Sequence, residues 1–242
     1  MSTVQVTPDI VKSLAPTGKL RATINLGNMV LAQGTPAAPR GITVDISNEL
    51  ARRLGVPVEF NCFDAAGKAF ENFKSQGFDI VFLAIEPVRA ADVDFTAPYV
   101  IIEGVYMVPK DSKLKAVADV DSPGVRIAVA KDAAYDLFLT RSLKHATLVR
   151  GPESFEQVAR GAVDAAGGVK QPLVVFAKAH ADKVRVLDGR FMEIRQAMGT
   201  QKGREAGATY LRAFIEELKA SGFVADGLKR SNQPDATVAP PG

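Results

Sequence analysis

Apolar residues along the chain fall into short runs separated by longer stretches with helical spacing. Leu20–Asn25 alternates apolar and polar positions and predicts a first strand. The stretch 27–41 contains Gly34, Pro36, Pro39 and Arg40 without periodicity and predicts a long loop, a length that is uncommon unless the loop has a job. Ile42, Ile46, Leu50 and Leu54 then mark one face of a helix, with Gly55 as its stop and Pro57 opening the next strand. Ala66–Gln76 carries Phe70 and Phe73 on one face and ends at Gly77. Residues 78–84 are nearly continuously apolar, as a strand buried on both faces requires.

Residues 99–108 form a β-rich run that ends at Pro109, and after a polar stretch the same rhythm restarts. Strands are predicted at 125–130, Thr147–Arg150, 163–166 and 191–198, and helices at 133–143, 152–160, 171–180 and 203–221. The Pro- and Ala-rich residues 234–242 are expected to fray. Strands alternating with amphipathic helices predict an α/β protein with mostly parallel sheets. The restart predicts two lobes crossed by two strands, with a ligand site at the carboxyl ends of the strands.

Composition narrows the function classes. The formal charge is only +3, from 30 basic and 27 acidic residues, and the basic residues are scattered, so no nucleic-acid partner is expected. No run approaches the roughly 20 apolar residues that would span a bilayer, so no membrane insertion is expected. The single Cys62 excludes an internal disulfide and a cysteine-cluster metal site, and two histidines, His145 and His180, cannot make a three-histidine zinc site. Cys62 reads as a small buried hydrophobe, and both histidines as surface residues. No metal, cofactor or catalytic residue is expected. The N-terminus has no basic start, apolar segment or small-residue cleavage site, so the chain as it stands is expected in the cytoplasm, or in the periplasm if a leader was removed.

Several motifs carry a resemblance. The run Gly41-Ile-Thr-Val-Asp45 through Phe60 and the pair Gly77-Phe78-Asp79 and Arg89-Ala-Ala-Asp-Val-Asp94-Phe95-Thr96-Ala-Pro98-Tyr99 resemble family 3 solute-binding proteins, the amino-acid receptors of ABC importers. Weaker matches lie at 124–129 and at Gly161-Ala162-Val163-Asp164. The resemblance implies a two-lobed α/β fold of the type 2 periplasmic-binding kind. Each lobe is a mostly parallel sheet flanked by helices, with two crossing strands as hinge. Lobe 1 would comprise residues 1–103 and 190–242, and lobe 2 residues 104–189. It also implies a monomer that closes on a small carboxylate-bearing ligand, with an ABC permease as partner, and it places Arg89 where the family grips the ligand carboxylate. A planar guanidinium suits that task because it offers two parallel donors.

The departures from the family pattern are informative. Ala84-Ile85-Glu86-Pro87 stands where a small hydroxyl residue and a threonine are usual, and Asn28 and Ala66 stand at the aromatic positions. Asp132-Ala133-Ala134 replaces a Gly-Thr-Thr, and Val169 and Lys170 fall where an acid pairs the ligand's ammonium. Lys68, Arg89, Lys131 and Lys170 make the mapped site cationic and suggest an organic anion or an atypical amino acid. Glu86 either holds an amine or pairs with Arg89. Asn25 and Asn28 offer amides at the site's lip or simply shape a turn. Tyr135 faces either the site or the core. The alternatives to a binding protein are a lyase resembling cyclohexadienyl dehydratase, with Glu86 as general acid, and a cytoplasmic ligand-responsive protein.

Overall fold

The computed structural model describes residues 5–152, 154–233 and 236–242. In chain order the elements are α1 (Pro8–Leu14), β1 (Leu20–Asn25), β2 (Gln33–Thr35), β3 (Ala38–Arg40), α2 (Ile42–Leu54), β4 (Val58–Phe63), α3 (Ala66–Gln76), β5 (Ile80–Ala84), α4 (Pro87–Ala90) and β6 (Val93–Pro109). They continue with β7 (Arg126–Val129), α5 (Ala134–Ser142), β8 (Thr147–Arg150), α6 (Ser154–Ala159), β9 (Ala165–Val169), α7 (Lys170–Ala179), β10 (Val184–Val186), β11 (Met192–Gln201), α8 (Glu205–Ala220), α9 (Phe223–Arg230) and β12 (Thr237–Val238). Two compact units result, one of residues 1–101 and 195–242 and one of residues 102–194, and the chain passes between them within β6 and β11. Among the described residues, no helix is long and apolar enough to cross a membrane.

In the first unit, β1 lies between β4 and β5 and is parallel to both, and β11 runs antiparallel to β5. The connection β1–α2–β4 moves one way across the sheet and β4–α3–β5 moves back the other. Because such crossovers are right-handed, α2 and α3 must lie on opposite faces. The α3 face is closed by Ala69, Phe70 and Phe73 packed with Val81, Leu83 and Val93. Helices α2 and α3 end at Gly55 and Gly77, both left-handed (φ 70° and 62°), which a residue without Cβ adopts at little cost. On the outer face of α2, Glu49 accepts bonds from Arg52 and Arg53, and Arg53 reaches across to Glu217 of α8.

The Arg52 bond, then Arg53, holds the Glu49 carboxyl at about 2, below its ordinary 4.5. A depressed folded-state value stabilises the protein above the unfolded value, and the contribution disappears as pH falls from about 4.5 towards 2. Glu49→Gln is therefore expected to cost about 1 kcal/mol at pH 7. Wild type and variant should converge in urea-unfolding stability as pH is lowered through that window.

The second unit repeats the order. β7 lies between β8 and β9, parallel to both, and the second half of β6 is antiparallel to β9. One face carries Val105, Met107, Ala128 and Ala166 against Val158, Leu173 and Ala177 of α6 and α7. The other carries Tyr106, Val108, Ile127, Val129 and Ala165 with Leu139 of α5. Both faces of these strands are covered, which explains why they read as unbroken apolar runs.

The two units also share a hook at the amino ends of their parallel strands. In the first, the Arg21 amide donates to Asp79 Oδ2 at 2.9 Å, Arg21 Nε donates to the same oxygen at 3.1 Å, and the Asp79 amide donates back to the Arg21 carbonyl. In the second, Arg126 makes the same bonds to Asp164 at 2.9 and 3.2 Å, and the Asp164 amide donates to the Arg126 carbonyl. The aspartates of Gly77-Phe78-Asp79 and Gly161-Ala162-Val163-Asp164 are thus the clamps that set β1 against β5 and β7 against β9. Thr200 Oγ1 also donates to the Asp79 carbonyl, and Arg204 pairs with Asp79 Oδ1 at 2.8 Å.

Three expectations differ from the structure. The long loop before α2 contains the hairpin of β2 and β3, which the Gly and Pro content disguised. The described part of the C-terminal tail, 236–242, is not frayed. There β12 pairs with β6, the Ala239 amide donates to the Tyr99 carbonyl, and Lys219 donates to the carbonyls of Pro98 and Pro240. A buried lysine from a distant helix tethers a segment that has no periodicity of its own. Cys62 is half-buried, with its thiol pushed up by burial.

Candidate ligand-binding site

In a sheet wound as β4-β1-β5, the crossover helices diverge at the carboxyl end of β1, leaving backbone ends and loops open to a ligand. The first unit places Asn25 and Asn28 there, just beyond β1, and Ala84, Glu86 and Arg89 at and just beyond β5. Ala84 ends β5, fully shielded, and its carbonyl accepts a 3.1 Å bond from Arg89 NH1. Pro87 starts the four-residue α4, and the Glu86 carbonyl accepts the amides of Arg89 and Ala90. The turn brings two charged side chains of opposite sign into the interior, Glu86 at 2% and Arg89 at 1% exposure. Charges so shielded are rarely retained without specific partners.

The two asparagines shape the loop after β1. Asn25 Oδ1 accepts the Gly27 amide at 3.0 Å, and Asn28 Oδ1 accepts the Val30 amide at 3.3 Å. Gly27 itself is pressed against the start of α3, so that a Cβ there would overlap the Asp64 carbonyl oxygen. Gly27→Ala is expected to cost about 2 kcal/mol, as overpacking typically does. The same variant should weaken ligand binding, because the loop cannot yield without moving Asn25 and Asn28. Denaturant unfolding and a binding titration on one preparation check both effects. Lys68, one turn into α3, is exposed and pairs with Asp64 at 2.8 Å, and this contact holds the Asp64 carboxyl below its usual range.

The second unit places its candidates at the corresponding carboxyl ends of β7 and β9. Lys131 is exposed just beyond β7, and Ala133 caps α5. Between them Asp132 adopts φ 59°, held by a 2.9 Å bond from its amide to Asp136 Oδ2. Asp136 is buried and also accepts Arg150 Nε at 2.9 Å. Tyr135 packs against the buried cluster of Tyr106, Ile127, Val129 and Leu139, and burial pushes its hydroxyl up to about 12. Lys170 opens α7 and pairs with Glu103 at 2.6 Å; Glu103 also takes Arg190, and its carboxyl is held low first by Lys170.

Direct bonds therefore join Ala84 to Arg89 and Glu86 to Arg89, while Lys68 and Lys170 each answer an acid of their own unit. The sequence reading missed Met29, Ile85 and Val88, large apolar side chains that stay exposed next to these residues in the chain. It also missed Asp136, whose only signal was a carboxylate in the first turn of a helix. No group of three or more histidine, cysteine, aspartate or glutamate side chains among the described residues is arranged to hold a metal ion.

The family model of bacterial extracellular solute-binding proteins, family 3, matches residues 29–230. No curated protein sequence matches the chain. Among solved structures, the ancestral amino acid-binding protein AncCDT-1, a precursor of cyclohexadienyl dehydratase, is 24% identical over 91% of this chain and 97% of its own, with a TM-score of 0.74. The P235GK mutant of ArgBP from T. maritima is 20% identical over 92% and 99%, with a TM-score of 0.76. A histidine kinase sensor domain with similarity to periplasmic binding proteins is 17% identical over 91% and 98%, with a TM-score of 0.76. Likeness at these identities establishes the fold, and it is the type 2 periplasmic-binding fold implied by the sequence motifs.

Proposed function

Because the chain belongs to family 3 of the bacterial extracellular solute-binding proteins, we propose that it binds a small amino-acid-like molecule and releases it unchanged. The ligand carboxylate lies on Arg89 and its ammonium on Glu86. The observation that carries this reading is the shielded Glu86–Arg89 turn held to the end of β5 by the Ala84 carbonyl. One buried cation and one buried carboxylate, three residues apart, match a zwitterion better than a dianion. The ion pairs of Lys68 with Asp64 and of Lys170 with Glu103 lend no support to an organic anion, since those charges are already answered. The arginine- and lysine-bound structures among the similar folds agree with an amino-acid ligand. The bound molecule would serve ABC-type uptake or sensing, with a membrane permease as partner on the outer side of the membrane.

The test is a thermal-shift screen of the purified protein against amino acids, dicarboxylates, keto acids and polyamines. A ligand at about 100 times its Kd adds roughly 2.7 kcal/mol, which raises the midpoint by several degrees for a chain of this size. Shifts with amino acids and none with dicarboxylates support the reading; the reverse pattern contradicts it. Turnover of prephenate or arogenate, lost in Glu86→Gln, would replace binding by lyase chemistry.

A further inference from the structure

The family resemblance implies a monomer, yet the first unit leaves one side of its sheet open. β4 is the outermost strand there, paired with β1 in unbroken register from Val58 to Phe63. The Leu20 amide donates to the Pro57 carbonyl and the Leu26 amide to the Phe63 carbonyl, which fixes the alternation along β4. Glu59, Asn61 and Phe63 turn their backbone groups towards β1. Val58, Phe60 and Cys62 turn theirs outward, and among the described residues no hydrogen bond answers them. Every side chain of the strand is half-buried.

Open edges are usually protected by shortness, proline, a bulge or charged side chains. The outermost strand of the second unit follows that rule, since β8 has four residues and ends at Arg150. β4 has six residues, contains neither proline nor lysine, and is not bulged. Its single charge, Glu59, is already paired with Lys19.

We propose that β4 docks antiparallel against β4 of a second copy of this chain, about a two-fold axis at Phe60. In that register Phe60 faces Phe60 of the second copy and Val58 faces its Cys62, so the outward amides and carbonyls answer one another. No other antiparallel register pairs these three residues among themselves. Asn61 is the register partner of Thr23, and Thr23 that of Val81, which packs beneath α3. The two Phe60 rings therefore meet on the face opposite α3, as a cross-strand aromatic pair. On the α3 face, Glu59 meets the neutral amide of Asn61, whereas the neighbouring register would set Glu59 against Glu59. Because β1 and β5 run parallel to β4, the candidate sites of the two copies stand at opposite ends of the joint sheet.

One pair of short strands lies at the small end of specific interfaces, so half-association is expected at roughly 10–100 µM. Sedimentation equilibrium of the ligand-free chain from about 1 to 500 µM should show reversible dimerisation, lost in Phe60→Lys. The melting temperature of that variant is the control for folding. A second variant reads the register. Val58→Cys places a thiol opposite Cys62 of the second copy, at the Cα separation of a hydrogen-bonded pair, about 5.5 Å, which a disulfide spans. Oxidation with diamide should link this variant into covalent dimers. It should leave wild type unlinked, because the two Cys62 residues lie four positions apart along the strands, roughly 13 Å. A wild type that stays monomeric throughout, a folded Phe60→Lys that still dimerises, or wild-type chains that link through Cys62 as fast as the variant overturns the assignment. If Phe60→Lys does not fold, the oxidation experiment decides alone. The dimer uses no residue of the Glu86–Arg89 turn, so its absence would leave the amino-acid reading in place.

Discussion

Asp79→Ala is expected to lower the unfolding free energy by about 3 kcal/mol, the low end of what breaking a buried ion pair costs. At roughly 2–4 °C per kcal/mol for a chain of this size, the melting temperature should fall by about 10 °C. Asp79 is fully buried and answers two guanidiniums, Arg21 at 3.1 Å and Arg204 at 2.8 Å, besides the Arg21 amide. Removing it leaves both cations facing a void at the edge that sets β1 against β5. Asp164→Ala is the internal control. The same hook in the second unit is exposed, with side chains 49% and 42% accessible for Arg126 and Asp164, so its loss should cost about 1 kcal/mol or less. Equal losses in the two variants would show that burial does not set the strength of the hook.

Arg89→Lys is expected to weaken binding of an amino-acid ligand by about 100-fold, the scale of a charge-assisted bidentate contact worth 2–3 kcal/mol. A lysine keeps the charge but has one nitrogen, and cannot hold the Ala84 carbonyl while offering two parallel donors to a carboxylate. A titration of wild type and variant checks it, with the ligand-free melting temperature as the control for folding. An affinity within threefold of wild type would place the carboxylate elsewhere.

The strand and helix rhythm was legible because β5 and α3 obey local rules: an unbroken apolar run for a strand covered on both faces, and paired phenylalanines followed by a left-handed glycine for the helix. The family motifs were legible too, and Gly77-Phe78-Asp79 proves to be structural, a clamp at the edge opposite the candidate site. Elements whose order comes from distant partners were not legible. The tail strand β12 depends on Lys219 and on the β6 ladder, neither of which its own residues announce. At the candidate site, the sequence could show that lysines are present, but not that Lys68 and Lys170 are matched by Asp64 and Glu103.

The most direct measurement takes the amino acid with the largest thermal shift and compares its calorimetric affinity with those of its carboxamide and its N-acetyl derivative. If Arg89 grips the carboxylate and Glu86 the ammonium, each blocked compound should bind at least 100-fold more weakly. Glu86→Gln should narrow the penalty for N-acetylation alone. Blocked derivatives that bind as tightly as the free amino acid would contradict the assignment of this turn as the zwitterion site.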